Sequence, residues 1–145
     1  MAINNNIIVG LDIGTTTLSA VLLDTDSGAL VAHRTTPNRS GLSSGPGRAE
    51  ADIRLLQRLT VECLASIVAE TGINPGTVRA IGITGQQHGV AFLDPQGAPL
   101  RPAITWQDVR VQAPYPGAER SYLAEMIRRC GGAEAFRATG CMPAA

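Results

Sequence analysis

A layered α/β fold with a mixed sheet is what this sequence predicts, and three observations predict it. Strand-like runs at Asn6 to Ile13, Thr17 to Asp24 and Ala29 to Thr36 follow one another across two tight turns. A helix-periodic segment comes next, with Ile53, Leu56, Leu59, Cys63, Leu64, Ile67 and Val68 on one face. A further apolar run, Val78 to Gly85, returns after that helix, which permits a parallel crossover beside the first strand.

The first two runs, "NIIVGLDI" and "TLSAVLLD", are β-branched and aliphatic and are joined by a few residues containing Gly14, so they read as a hairpin. A second turn, "DTDSG" from Asp24 to Gly28, leads into "ALVAHRTT" and completes a three-stranded antiparallel meander. "PNRSGLSSGPGR", from Pro37 to Arg48, is dense in Gly, Ser and Pro and reads as a mobile loop. Gly72 stands where the central helix needs its C-terminal cap. Val78 to Gly85, continuous in apolar character and bounded by glycine, reads as a central strand buried on both faces. "GVAFLD", the turn "PQGAP" and "LRPAITW" suggest another hairpin. A last helix is expected over about Gly117 to Cys130, with Tyr122, Leu123, Met126, Ile127 and Cys130 on its apolar face.

The 145 residues suffice for one domain with a real core. Twelve basic residues balance twelve acidic ones and no basic run appears, so nucleic acid is not expected as a partner. No apolar stretch approaches the roughly 20 residues that would span a bilayer, and "MAINNN" lacks the regions of a signal peptide; a cytoplasmic chain without a membrane partner is expected. Cys63, Cys130 and Cys141 are odd in number and lack CxxC pairing, which argues against a disulfide framework or a zinc site. Cys63 and Cys130 are expected as small core residues of helices. The chain stops at "RATGCMPAA" without a closing helix or strand pattern, so it is read as a piece of something longer.

The first turn carries more hydroxyl than a hairpin needs. In P-loop and dinucleotide-binding proteins a glycine-rich turn enters a helix, whose N-terminus holds the phosphate. Here "GTTT" enters a strand, so a phosphate would be held by consecutive backbone N–H groups around Gly14, supplemented by the hydroxyls of Thr15, Thr16 and Thr17. Asp12, at the mouth of the turn, would hold Mg²⁺ directly or through its waters. The alternative is that Asp12 and the threonines only hydrogen-bond the turn backbone. Further on, Gln86, Gln87 and His88 lie at the carboxyl edge of a strand, where open α/β sheets place their ligands. Gln and neutral His both donate and accept, which suits hydroxyl recognition. Trp106 and Asp108 near the end of another strand offer an aromatic face and a carboxylate, a sensible polyol site. Alternatively, His88 is a hydrogen-bonded edge residue and Trp106 a core anchor.

The strand, Asp-x-Gly-Thr-Thr, strand pattern resembles the first phosphate motif of the actin-like ATPase superfamily. Together with an acidic residue before a long helix ("GRAEADIRLL"), "GQQHG", a β-hairpin and "WQDVR", in consistent order from about Val9 to Thr139, the sequence resembles the FGGY carbohydrate kinases. The resemblance implies an actin-like (ribonuclease H-like) domain, incomplete in this chain, and covers the N-terminal portion of the family's first, sugar- and phosphate-binding domain, the second being absent. It implies ATP and Mg²⁺ as cofactors and phosphorylation of a sugar hydroxyl. Asp12 is then the magnesium- and phosphate-linked carboxylate, Gly14, Thr15, Thr16 and Thr17 are phosphate contacts, and Gln87, His88, Trp106 and Asp108 form the sugar side. "GQxHG" is similar to the ketose kinases rather than the glycerol kinases. "TWQD" followed by "ATG" is more similar to sedoheptulokinase-like members than to xylulokinases. The family's catalytic aspartate and adenosine-binding segments lie beyond residue 145, so this chain alone is expected to be inactive; a homodimer is left open. The competing readings are an actin-like regulatory or assembly ATPase, which leaves "GQQHG" and "WQD" idle, and a standalone non-catalytic module.

Overall fold

The computed structural model describes residues 6–138. Thr139 and Gly140 of the "ATG" element, and Cys141, lie outside the described residues. The chain divides into two compact units, one built from residues 6–41 and 52–87, the other from 42–51 and 88–138.

The first unit is a four-stranded sheet in the order β3-β2-β1-β6 carrying one helix. β1 (Ile7–Ile13), β2 (Thr17–Asp24) and β3 (Leu30–Pro37) form the expected antiparallel meander. β4 (Gly41–Leu42) and β5 (Glu50–Ala51) are two-residue strands in the following loop. After α1 (Ile53–Thr71), β6 (Val78–Gly85) pairs in parallel with β1. The Asp24 carboxylate closes the second turn by accepting from the Asp26 amide and the Ser27 hydroxyl, each at 2.9 Å, and Gly28 takes the left-handed φ of 71° that this turn demands. α1 is capped at both ends. The Asp52 carboxylate accepts from the Leu55 amide at 3.0 Å, and Gly72, at φ 64°, donates its amide to the Val68 carbonyl.

Alternation places Ile7, Val9 and Leu11 of β1 and Leu18, Ala20 and Leu22 of β2 toward one side. Helical spacing brings Cys63 and Ile67 of α1 onto the same core, with Ile73 just past the helix. Burial of side chains of this size stabilises by about 1.5–3 kcal/mol each, which makes this core the anchor of the sheet.

β6 departs from expectation. Among the described residues it stands at one edge of the sheet, opposite β3, and Ile81 and Ile83 are 53% and 67% exposed rather than buried. The reason is placement: α1 lies over β2 and β3, so only the Val78 end of β6 packs against the core.

In the second unit β5 pairs antiparallel with β7 (Ala103–Ile104). The hairpin expected over residues 89–106 is present in reduced form, as bridges Val90↔Ile104 and Leu93↔Pro99 closed by a turn in which the Asp94 amide donates to the Ala98 carbonyl at 2.9 Å. The last expected helix is shorter than 117–130: α2 covers Tyr122–Arg129, begun by Ser121 as N-cap, and is followed by α3 (Ala133–Ala138). Its expected apolar face is covered only in part: Leu123 and Ile127 are half-buried. Tyr122 and Met126 are exposed, Cys130 is exposed rather than core, and Glu125 is buried. Glu125 accepts from Arg120 Nε at 2.6 Å, from Arg128 Nη2 at 2.8 Å and from Arg129 Nε at 2.8 Å. Three guanidiniums make a buried carboxylate tolerable where an isolated one would not be.

Candidate functional site

The first turn leaves β1 at Ile13 and enters β2 at Thr17 without any helix, as its residues require. Gly14 donates its amide to the Thr17 carbonyl at 2.9 Å. Its φ is not left-handed; glycine is needed because a Cβ there would lie 2.9 Å from the Thr17 carbonyl oxygen. A residue that sequence reasoning gave no role, Asn38, holds the turn from the next strand's end. Its side-chain amide donates to the Gly14 carbonyl at 2.8 Å, and its backbone amide donates to the Thr16 carbonyl at 2.8 Å. Two carbonyl oxygens that would repel an anion are thereby engaged. The only hint in the sequence was an Asn directly after a strand-ending Pro.

Asp12 is exposed on β1, in register with Ser19 of β2 and Thr84 of β6. It borders a shallow cavity of about 400 Å³ whose floor includes Gly10 and Gly82, register neighbours without side chains. Its carboxylate forms no ion pair among the described residues, and no group of three or more His, Cys, Asp and Glu among them is placed to hold a metal. A divalent ion here would depend on one carboxylate, with water and phosphate oxygens completing the shell, which is how magnesium usually binds. Of the threonines, Thr16 is exposed, Thr17 opens β2, and the Thr15 hydroxyl donates to Gln86 Oε1 at 3.4 Å.

Gly85 ends β6 in tight approach to β1, since a Cβ there would lie 2.7 Å from the Ile13 carbonyl oxygen. The next amide, Gln86 N–H, donates to that oxygen at 3.0 Å. Gln86 and Gln87 line a second shallow cavity of about 460 Å³ with Ile13, Leu56 and Ile83, at the carboxyl ends of the parallel pair. Gln86 therefore links the turn between β1 and β2 to the end of β6.

The second segment of the second unit begins at His88, at φ 59° the one non-glycine residue in the left-handed region among those described. The segment continues through Gly89, where a Cβ would sit 3.0 Å from the Ile104 carbonyl oxygen, into the bridge Val90↔Ile104. Trp106 occupies, with Gln107, the tip of a turn closed by the Asp108 amide donating to the Thr105 carbonyl at 3.1 Å, and it is 48% exposed. Asp108, in contrast, is buried. Arg110, first by its side-chain hydrogen bonds, lowers the Asp108 carboxyl to about 2. Glu50, also buried, is shifted downward by Arg110 and by the Ser44 hydroxyl. Glu50, Arg101 and Arg110 had no role in the sequence reading, although Glu50 lies in "GRAEADIRLL" and Arg110 in "WQDVR".

A meander entering a parallel pair, with a Gly-Thr-Thr turn at the end of β1 and polar side chains at the end of β6, defines a domain of the actin-like ATPase fold. The chain belongs to the FGGY family of carbohydrate kinases: the model of that family's N-terminal domain matches residues 7–136. A xylulose kinase of Streptomyces coelicolor is 35% identical over 140 residues, covering 96% of this chain and 26% of the relative. A glycerol kinase of Methylorubrum extorquens is 32% identical over 136 residues, covering 93% and 25%. Among solved structures, a xyloylose kinase from Brucella ovis superposes with a TM-score of 0.75 at 26% identity, covering 92% of this chain and 25% of that one. The chain thus spans about a quarter of the length of these relatives. No helix among the described residues is long and apolar enough to cross a membrane.

Proposed function

We propose that this chain is the N-terminal portion of an ATP-dependent ketose kinase acting on xylulose, and that it supplies the first phosphate-binding turn and part of the sugar site. The observation that carries this reading is the turn itself, whose Gly14 and Thr16 carbonyls are tied to Asn38 beside an exposed Asp12. That arrangement favours an anion and a cation together. The names of the xylulose kinase relatives support xylulose over sedoheptulose.

In this reading Thr16 and Thr17 contact phosphate oxygens and Thr15 exchanges its bond to Gln86 for one to phosphate. Asp12 would hold Mg²⁺, which when bound would neutralise charge on the phosphate oxygens. Gln87 and His88 orient the sugar by its hydroxyls, and Trp106 covers its carbon skeleton. The residue that takes the proton of the attacking hydroxyl lies beyond this chain, so the chain alone does not turn over.

Trp106 is the only tryptophan in the 145 residues, so its emission reports one place in the molecule. Titrating the chain with xylulose, sedoheptulose and glycerol should give saturable quenching, strongest with xylulose and absent with glycerol. A folded chain whose emission responds to none of the three would overturn the sugar assignment.

A further inference from the structure

The Asp108 carboxylate has no acceptor capacity left for a ligand. Its Oδ1 accepts from the Arg110 amide at 3.0 Å and from Arg110 Nε at 2.8 Å; its Oδ2 accepts from the Ala49 amide at 2.9 Å and from Arg110 Nη2 at 2.6 Å. Four hydrogen bonds fill about four lone-pair positions, and the side chain is only 2% exposed. An aspartate that bound sugar hydroxyls would need an open oxygen.

The same guanidinium reaches a second buried acid. Arg110 Nη2 donates to Glu50 Oε1 at 2.7 Å, Arg101 donates to that oxygen as well, and the Ser44 hydroxyl donates to Oε2 at 2.8 Å. Two carboxylates and two guanidiniums leave the network neutral. Backbone bonds run alongside it: the Thr105 amide donates to the Ala49 carbonyl at 3.0 Å and the Val109 amide to the Gly47 carbonyl at 2.9 Å. Both ends of the turn carrying Trp106 and Gln107 are therefore fastened to residues 47–50, while the tip stays exposed.

We propose that Asp108 is a positioning residue, acting with Arg110 and Glu50 to hold the Thr105–Asp108 turn so that the exposed Trp106 face is preset for its ligand. This rests on the reading of Trp106 as part of the sugar site. It replaces direct sugar contact by Asp108 with a clamp, and it assigns Glu50, far from the turn in sequence, to the same device. A preset aromatic face spares the ligand the entropy of ordering it.

The experiment uses the chain and its variants Asp108→Asn, Glu50→Gln and Arg110→Lys, the last keeping its charge but losing the planar fork. Glu125→Gln is the control: it breaks the other buried carboxylate cluster of the same unit and lowers stability without touching the turn. Acrylamide quenching and emission anisotropy of Trp106 are read first, without sugar, and then the xylulose midpoint. All three network variants should raise the quenching constant about twofold, lower the anisotropy, and raise the xylulose midpoint about tenfold. Glu125→Gln should leave all three readings at wild-type values. If Asp108→Asn alone raises the midpoint, with Glu50→Gln and Arg110→Lys unchanged, Asp108 is a sugar ligand and the clamp is wrong. Unchanged anisotropy in all three variants overturns it as well. Should xylulose fail to quench the wild-type chain, the sugar reading falls, and the sugar-free readings still decide the clamp.

Discussion

His88 pays a conformational cost that a glycine in its place would not, and replacing it separates stability from ligand recognition. At φ 59° an L-residue loses about 1–2 kcal/mol to the clash between Cβ and the backbone. Glycine removes that loss, and its greater freedom in the unfolded chain returns roughly 0.5–1 kcal/mol of it. Since His88 is exposed, little packing is forfeited with the imidazole. The expected result for His88→Gly is a gain of about 0.5–1 kcal/mol. For a urea dependence of ~2 kcal/mol per molar, that is a midpoint shift of about 0.25–0.5 M. Trp106 lies in the same unit, so its emission follows the relevant transition.

Two companions sharpen the test. His88→Ala keeps the Cβ and should show no gain, whereas His88→Asn, with a side chain tolerant of this region, should fall between. All three lose the imidazole, and the xylulose midpoint should rise about fivefold to tenfold, corresponding to the ~1 kcal/mol of one hydrogen bond. A Gly variant less stable than wild type would refute the strain argument. A Gly variant more stable but unchanged in its sugar midpoint would leave the strain without a function.

Gly85→Ala forces a Cβ to within 2.7 Å of the Ile13 carbonyl oxygen; parting β6 from β1 and weakening the Gln86 amide bond should cost about 2–4 kcal/mol by urea unfolding followed by far-UV circular dichroism. The second unit should lose stability in acid: because Arg110 lowers the folded Asp108 carboxyl to about 2, the stabilisation is complete above about pH 4 and disappears as pH falls toward 2. Its size is about 1–2 kcal/mol, and an acid titration of Asp108→Asn should lack that part of the slope. In the longer protein, Asp12→Ala should lower kcat far more than it raises KM for the sugar, since phosphate charge is stabilised mainly in the transition state; unchanged kcat in a coupled ADP-release assay would reduce Asp12 to a turn residue.

The elements easiest to read from the sequence were those governed by neighbours along the chain. Alternation in "TLSAVLLD", the capping pair Asp52 and Gly72 around a 3.6-residue period, and the "DTDSG" turn each express local sterics and local hydrogen bonds. Burial was harder, because it depends on what packs above a strand. Ile81 and Ile83 have the composition of a central strand, and in this chain, about a quarter of its relatives' length, they lie on an edge that α1 does not cover. In α2 the apolar periodicity pointed to Tyr122, Leu123, Met126, Ile127 and Cys130; Leu123 and Ile127 are half-buried, but the most buried residue is Glu125, on which three arginines converge.

The candidate site divides along the same line. Residues whose proposed role comes from position on a strand end or turn, such as Asp12, Gly14, Gln87 and His88, stood out because their neighbours in sequence create the context. Residues whose role comes from a distant partner did not. Asn38 acts on a turn more than twenty positions earlier, and Gln86 meets Thr15 across 71 positions. Asp108 is the instructive case, since a carboxylate beside a tryptophan looks like a hydroxyl acceptor until its partners are known. Ala49 and Arg110 occupy every acceptor site it has. Arg110, two positions on, was in plain view, but Ala49 and Glu50 approach from 58 or 59 residues away only because β5 pairs with β7. A motif such as "WQDVR" therefore combines an exposed aromatic residue with a buried, paired acid and guanidinium, and only the tertiary pairing shows that the acid is buried.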